Sequence, residues 1–298
     1  MGEKESSVNQ ISVVIPAYNE EQGISNVIAE IRESLRIEHE ILIIDDGSED
    51  KTGEIAADLG VRVIRHKRNR GYGAALKTGI RNARYDFILI TDADGTYDCQ
   101  PIMDLVSHLN ESQYSMVVGA RVGEYVSIPL MRKPAKWLIA RLAQYVAGSP
   151  ILDVNSGLRI FKRSVALRFL NSLPDGFSFT TTITLGMLIN HYSIGYLPIC
   201  YHPRVGKSKI RPIRDTGNFI RLIFQIALYF VPLKIFLPIS GILLILALGW
   251  GMFTYYVLGK FADVSTIVIV MAAFQIAVVG LLAELINHRI PNQYHNMD

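Results

Sequence analysis

Three short acidic segments carry the side chains best suited to chemistry: Pro16-Ala17-Tyr18-Asn19-Glu20, Asp45-Asp46-Gly47-Ser48 and Asp92-Ala93-Asp94. In the last, a spacing of two in an extended loop lets both carboxylates approach one centre, directly or through water. Neither the seven His nor the two Cys, Cys99 and Cys200, show paired ligand spacing. Carboxylates without softer ligands suit a hard cation such as Mg2+ or Mn2+. Such a cation would neutralise a diphosphate and stabilise it as a leaving group. In the second segment Gly47 allows a tight turn, and Ser48 or Asp50 can cap the helix that follows. Capping does not account for two adjacent Asp, one of which can accept hydrogen bonds from a nucleobase or ribose. In the first segment Tyr18 offers a ring face to a base and Glu20 a carboxylate to a nucleotide, while Asn19 can cap the next helix.

Two later segments, Asp153-Val154-Asn155-Ser156-Gly157-Leu158-Arg159 and Arg204-Val205-Gly206-Lys207-Ser208-Lys209, supply cations and hydroxyls. Arg159 and Lys207 read either as phosphate ligands or as solvated surface charges. Arg204 and Lys209 border an apolar run, where a lipid phosphate would arrive. Gly71-Tyr72-Gly73 is not a dinucleotide fingerprint, because Leu76 holds the third glycine position and Asn69-Arg70 precedes it in place of a strand. It reads as a closely packed entry into a helix. No Walker A sequence is present.

Each acidic segment stands directly after a run that predicts a buried strand: Ile11–Ile15, Ile41–Ile44 and Phe87–Thr91. Val61–Arg65 and Met116–Gly119 are further strands. Between them, helices are expected near 21–35, 52–59, 72–83 and 101–111, and another near 134–146. Continuous Val/Ile/Leu strands alternating with helices predict an α/β fold, a mainly parallel sheet covered on both faces. Ligands of such sheets bind at the carboxyl ends of the strands, where the acidic segments lie.

The chain has 298 residues, half of them hydrophobic, and a net charge of +3 that gives no argument for nucleic acid. The hydrophobic excess is local. Ile235–Leu258 has no charged residue over roughly 36 Å of helix, and Val264–Ala283 spans roughly 30 Å, each enough to cross a bilayer. Gly259–Asp263 is only a turn, so 233–298 reads as a transmembrane hairpin, with spans at about 235–258 and 264–286. Arg204, Lys207, Lys209, Arg211, Arg214, Arg221 and Lys234 crowd before the first span, and the turn holds only Lys260. The positive-inside rule then places the catalytic part and both termini in the cytoplasm. Met1–Gln10 is polar and lacks an apolar signal core. Residues 211–232 form a juxtamembrane segment. Its Asn218–Val231 part is a helix with a narrow polar stripe, suited to the membrane interface or to a buried core position. Residues 1–210 are the catalytic domain.

Together these residues resemble the family-2 glycosyltransferases of GT-A fold, in particular those that make polyprenyl-phosphate sugars. The resemblance covers about residues 11–230 by motif and the rest by architecture. It implies that Pro16, Tyr18, Glu20, Ile44 and Asp46 hold the nucleotide, and that Asp92, Ala93 and Asp94 hold its diphosphate and metal. Thr96 stands where family members often carry a metal-holding Gln, and is the third expected ligand. Arg121 and the Asn155-Ser156-Gly157 segment resemble those near the sugar or lipid phosphate. Arg204, Ser208 and Lys209 match a basic segment that closes over the donor phosphates. The Gln-x-x-Arg-Trp signature of processive polysaccharide synthases is absent.

The implied reaction is metal-dependent, inverting transfer of one hexose from a nucleotide diphosphate sugar, of UDP-glucose or GDP-mannose type, to a dolichyl or undecaprenyl phosphate. Arg121 and Arg159 are the candidates for orienting the acceptor phosphate. An acceptor that is already anionic needs no strong base. Transfer to a lipid hydroxyl or a glycan would need one, with Asp153 or Asp175 the available carboxylates. A membrane scaffold without activity is the reading from another class. A homo-oligomer is left open.

Overall fold

A computed structural model of the protein describes residues 8–121, 133–200, 212–259 and 264–289. Its contacts divide the chain into two units, 1–216 and 217–298.

The first unit is built on a seven-stranded sheet. The strands are β1 (Gln10–Ala17), β2 (Glu38–Asp45), β3 (Arg62–Arg65), β4 (Phe87–Ile90), β5 (Met116–Ala120), β6 (Arg159–Lys162) and β7 (Ile194–Pro198), in the order β3-β2-β1-β4-β6-β5-β7. The first five follow the apolar runs of the sequence. β6 runs antiparallel to both neighbours, β4 and β5, and every other pairing among the described residues is parallel. The sheet is therefore mixed, mainly parallel with one reversed strand.

Strand alternation sends successive side chains to opposite faces. On one face Val13, Ile15, Ile41, Ile43, Leu89, Val117 and Ile160 form a core with α1 (Ile24–Ser34) and α4 (Ile102–Glu111). Helix α2 (Thr52–Asp58) adds Ala56 to the same core. Val14, Leu42, Ile44, Ile88 and Ile90, on the other face, are also fully buried. There α3 (Tyr72–Asn82) lies close to the sheet because Gly79 has no side chain. A Cβ at Gly79 would strike Val14. The remaining helices of the unit are α5 (Lys133–Ala147), α6 (Arg163–Phe169) and α7 (Phe179–Ile189).

Helix α8 (Pro212–Phe230) begins at the division between the units. It buries Ile223, Ile226 and Ala227 while Phe224, Leu228 and Tyr229 remain exposed, so it has a second apolar face. In the second unit, α9 (Leu233–Leu258) and α10 (Val264–Arg289) pack against each other. Leu233–Val257 and Val264–Ile286 are long and apolar enough to span a membrane. Ser240 donates to the Ala273 carbonyl at 2.8 Å, and Gly280 lets Phe236 approach. Most of the large apolar side chains of these two helices face outward. Buried core helices would not do that, and a lipid-facing pair would.

Candidate active site at the strand ends

The loops after β1 and β2 are laced together by side chain–backbone hydrogen bonds. Asp46 N donates to Ala17 O at 2.9 Å, and Asn19 N to Ser48 Oγ at 3.1 Å. Glu49 N returns to Asn19 Oδ1 at 2.9 Å, and Glu20 N reaches Thr52 Oγ1 at 2.8 Å. Glu21 N and Lys51 N complete the lacing through Asp50 Oδ2 and Glu21 Oε2. Asn19 adopts φ 56°, a left-handed conformation that Asn tolerates. It does not cap α1, which starts at Ile24 after Gly23. Tyr18 stands 41 % exposed at the end of β1. Pro16 pairs in register with the fully buried Ile44.

The two Asp of the second segment point into the protein. Asp45 accepts Ser48 N at 2.8 Å and sits 3.2 Å from Arg65 Nε. Asp46 is 3 % exposed. Its oxygens accept from His66 Nδ1 at 2.6 Å, Arg70 N at 3.0 Å and Gly71 N at 2.8 Å. These partners give Asp46 a structural task besides the nucleotide contact expected of it. The carboxylate anchors the 66–71 loop, and it shapes the site through that loop.

Asp92, Ala93 and Asp94 follow β4. Asp92 Oδ1 accepts from Tyr72 Oη at 2.9 Å. The carboxylate lies against Gly157, where a Cβ would come within 2.7 Å of Oδ2. Gly157 is itself tied down by its amide, which donates to Tyr97 Oη at 2.6 Å. Burial, then the charge of Asp92, pushes the Tyr97 phenol up to about 12 and the Tyr72 phenol well above 10. Asp94 Oδ1 accepts both the amide of Thr96, at 3.1 Å, and its hydroxyl, at 2.7 Å. Thr96, the third expected ligand, is buried and holds Asp94 in place through these two bonds. Among the described residues no three His, Cys, Asp or Glu gather as a metal cage. Two hard carboxylates two residues apart after β4 fit Mg2+ or Mn2+, which commonly take their remaining ligands from phosphate and water.

Residues 12–169 match the model of glycosyl transferase family 2, and residues 231–288 match that of the GtrB C-terminal hairpin. The chain belongs to glycosyl transferase family 2. This transferase is similar to the dolichyl-phosphate hexose transferase of Haloferax volcanii, with 28% identity over 75% of this chain and 96% of that protein. It is also similar to the dodecaprenyl-phosphate galacturonate synthase of Rhizobium johnstonii, with 26% identity over 93% and 87%. Its fold matches that of glucosyl-3-phosphoglycerate synthase from Mycobacterium tuberculosis, solved with Mn2+ and uridine diphosphate. The TM-score is 0.57 and the identity 23%, over 74% of this chain and 79% of that one.

On the other side of the family 2 site, Arg121 grips Asp153 with two hydrogen bonds, Nε to Oδ2 at 2.8 Å and Nη2 to Oδ1 at 3.0 Å. Burial favours protonation of Asp153. The bonds and charge of Arg121 and the amides of Asn155 and Arg121 outweigh it, holding the carboxyl below its ordinary 3.8. Asp175 is exposed and pairs with Lys77 at 2.8 Å.

Arg159 is 0 % exposed, which removes its reading as a solvated charge. Its guanidinium donates to Thr180 O at 3.1 Å, Thr184 Oγ1 at 2.9 Å and, through two nitrogens, to Ser156 O. These bonds all run to the protein itself, where the sequence led us to expect an acceptor phosphate. Arg159 braces the 155–157 turn from below, and Thr180 Oγ1 fixes the same turn through Asn155 Oδ1 at 2.7 Å. Arg204, Ser208 and Lys209 lie outside the described residues. The sequence singles out Gly157 within Asn155-Ser156-Gly157, but not Tyr72, Tyr97 or the threonines of α7 as site residues. Only Tyr72 had a signal, the Gly71-Tyr72-Gly73 entry.

Proposed function

We propose that the protein transfers a single hexose from a nucleotide diphosphate sugar to a polyprenyl phosphate at the cytoplasmic membrane face, with inversion and with Mg2+ or Mn2+ held by Asp92 and Asp94. The observation that carries this reading is the Arg121–Asp153 pair. Acceptor hydroxyls need a general base, and the best base has a pKa near the working pH. Asp153 is tied to Arg121 and its carboxyl is shifted away from that range. An acceptor that arrives as an anion needs no base, and a guanidinium held flat by Asp153 suits a phosphate. The relatives named for dolichyl- and dodecaprenyl-phosphate point the same way, and so do the two apolar helices.

In this mechanism Tyr18 and Glu20 bind the nucleotide on the laced loops, and Ala93 lies beside the diphosphate. When bound, the cation supplies charge neutralisation for the departing nucleoside diphosphate. Arg121 aims one phosphate oxygen at the anomeric carbon. The new C1–O bond forms as the bond to the diphosphate breaks on the opposite face, with no proton moved. Positioning and electrostatic stabilisation therefore carry the rate.

The test offers labelled UDP- and GDP-sugars to the protein with either a polyprenyl phosphate or the matching polyprenol, with products read by mass spectrometry. The expected product is the phosphodiester-linked sugar. It should vanish with EDTA and with Asp94→Ala. Transfer to the polyprenol alone, or undiminished transfer without metal, would refute the reading.

A further inference from the structure

We propose that Tyr72 is a positioning residue of the metal site: its hydroxyl fixes the Asp92 carboxylate in the orientation that receives the divalent cation. The inference rests on the metal-dependent reading above.

Asp92 is held from two directions. On one side the Gly157 backbone forms a wall, with so little room that a Cβ would approach the carboxylate to 2.7 Å. On the other, Tyr72 Oη donates to Oδ1 at 2.9 Å. With a wall and a donor in place, the carboxylate plane has little freedom to rotate. A phenol suits this task. It orients one oxygen yet leaves the carboxylate its full charge, where Lys or Arg at the same place would compete with the cation.

Tyr72 is in turn fixed more firmly than a tyrosine needs merely to bury itself. It opens α3 directly after Gly71, whose φ of 103° turns the chain and whose amide is anchored on Asp46 at 2.8 Å. Its ring stacks on Phe177, with centroids 5.5 Å apart and planes 18° from parallel. The loop carrying Phe177 is clamped to the same helix, because Ala74 N donates to Asp175 O at 3.0 Å and Lys77 pairs with the Asp175 carboxylate. Phe177 itself is 82 % exposed, so the stack gains little from burying that ring. Its evident effect is on Tyr72. Groups that orient metal ligands in this way typically change metal affinity by 10- to 100-fold when removed.

The test measures Mn2+ binding without turnover. Full-length protein in detergent is titrated with Mn2+ in the presence of saturating UDP or GDP, and free Mn2+ is read by electron paramagnetic resonance. Tyr72→Phe keeps the ring and the stack and removes only the donor. It should bind Mn2+ roughly 10-fold more weakly with little change in thermal unfolding. Phe177→Ala keeps the hydroxyl and loosens the ring, and should weaken Mn2+ binding in the same direction by about 3-fold, a fraction of the donor's effect. This second variant tests the idea even if Tyr72→Phe folds poorly. Wild-type Mn2+ affinity in both variants would overturn the role of Tyr72 while leaving the metal reading intact. Absence of Mn2+ binding by the wild-type protein would overturn the metal reading, and the role of Tyr72 with it.

Discussion

Adding one methyl group at Gly157 should disable the site without touching any ligand. A Cβ built there lies 2.7 Å from Asp92 Oδ2 and 3.0 Å from Cγ and Oδ1, whereas ordinary contact begins near 3.4 Å. Something must therefore retreat by about 0.7 Å. The turn resists, because the Gly157 amide is bound to Tyr97 at 2.6 Å and the Ser156 carbonyl to buried Arg159. Asp92 meets the new methyl with the end of a side chain, whereas the turn meets it with backbone, so the carboxylate is the part expected to move. Metal sites tolerate about 0.2 Å of ligand displacement, and misplacement on the order of 1 Å costs about 100-fold in rate. Gly157→Ala should thus lower turnover by roughly 10- to 100-fold, or about 1.4–2.7 kcal/mol in the barrier. The stability loss from overpacking should stay near 1–3 kcal/mol. The assay is sugar transfer to polyprenyl phosphate over a Mn2+ titration, with thermal unfolding as the control. Excess Mn2+ should restore part of the rate, because the injured step is metal retention. A folded variant with wild-type turnover and wild-type Mn2+ dependence would show that Asp92 does not depend on this contact.

Asp46→Ala should lower stability by about 3 kcal/mol, because it strands His66 and the amides of Arg70 and Gly71 without acceptors in a buried place. A raised donor KM with unchanged thermal stability would mean instead that Asp46 meets the nucleotide directly. The Arg121–Asp153 pair should be insensitive to pH across the neutral range. The folded carboxyl lies below 3.8, so its stabilising contribution is complete above that value and fades only as pH falls through the lower folded one. Wild type and Asp153→Asn should then differ by a constant 1–2 kcal/mol, roughly, in unfolding from about pH 8 to pH 5. The two should converge only in strong acid. A gap that closes near pH 6 would show that another group governs the pair.

The elements that the sequence reading found are those with strong local signals. β1, β2 and β4 are continuous apolar runs, and α9 and α10 are long, with their few charges near their ends. β6 gave no such signal, since Arg159-Ile160-Phe161-Lys162 runs straight into α6 at Arg163 with no turn residue to mark its end. Strand alternation sends Arg159 to the face opposite Ile160, against Thr180 and Thr184 of α7, which is why an arginine ends up wholly buried. Helix α7 was illegible for another reason. Its β-branched threonines are poor helix formers, and burial on every side leaves no amphipathic period. At the site, the Asp-x-Asp was legible because both carboxylates are adjacent in sequence. The role of Asp46 was not, because its partners lie at His66, Arg70 and Gly71 and meet it only in the folded chain.

The reversal of β6 also has a consequence for how such enzymes can diversify. The parallel strands that carry the nucleotide loops and Asp-x-Asp come from one continuous stretch, residues 10–94, whereas Arg121, Asp153, Gly157 and Phe177 all come from beyond β4. The two stretches meet along one joint, the pairing of β4 with β6, together with the contacts of Asp92 on Gly157 and Tyr72 on Phe177. Under the proposed function, a crossover in the chain between these stretches would exchange an acceptor half for another while inheriting the donor half. Such a chimaera must keep matched side chains at the joint, among them the Tyr72–Phe177 stack, the Lys77–Asp175 pair and the bonds of Arg163 to Ile80 and Arg81. Donor and acceptor preference can therefore change by separate histories within one catalytic domain.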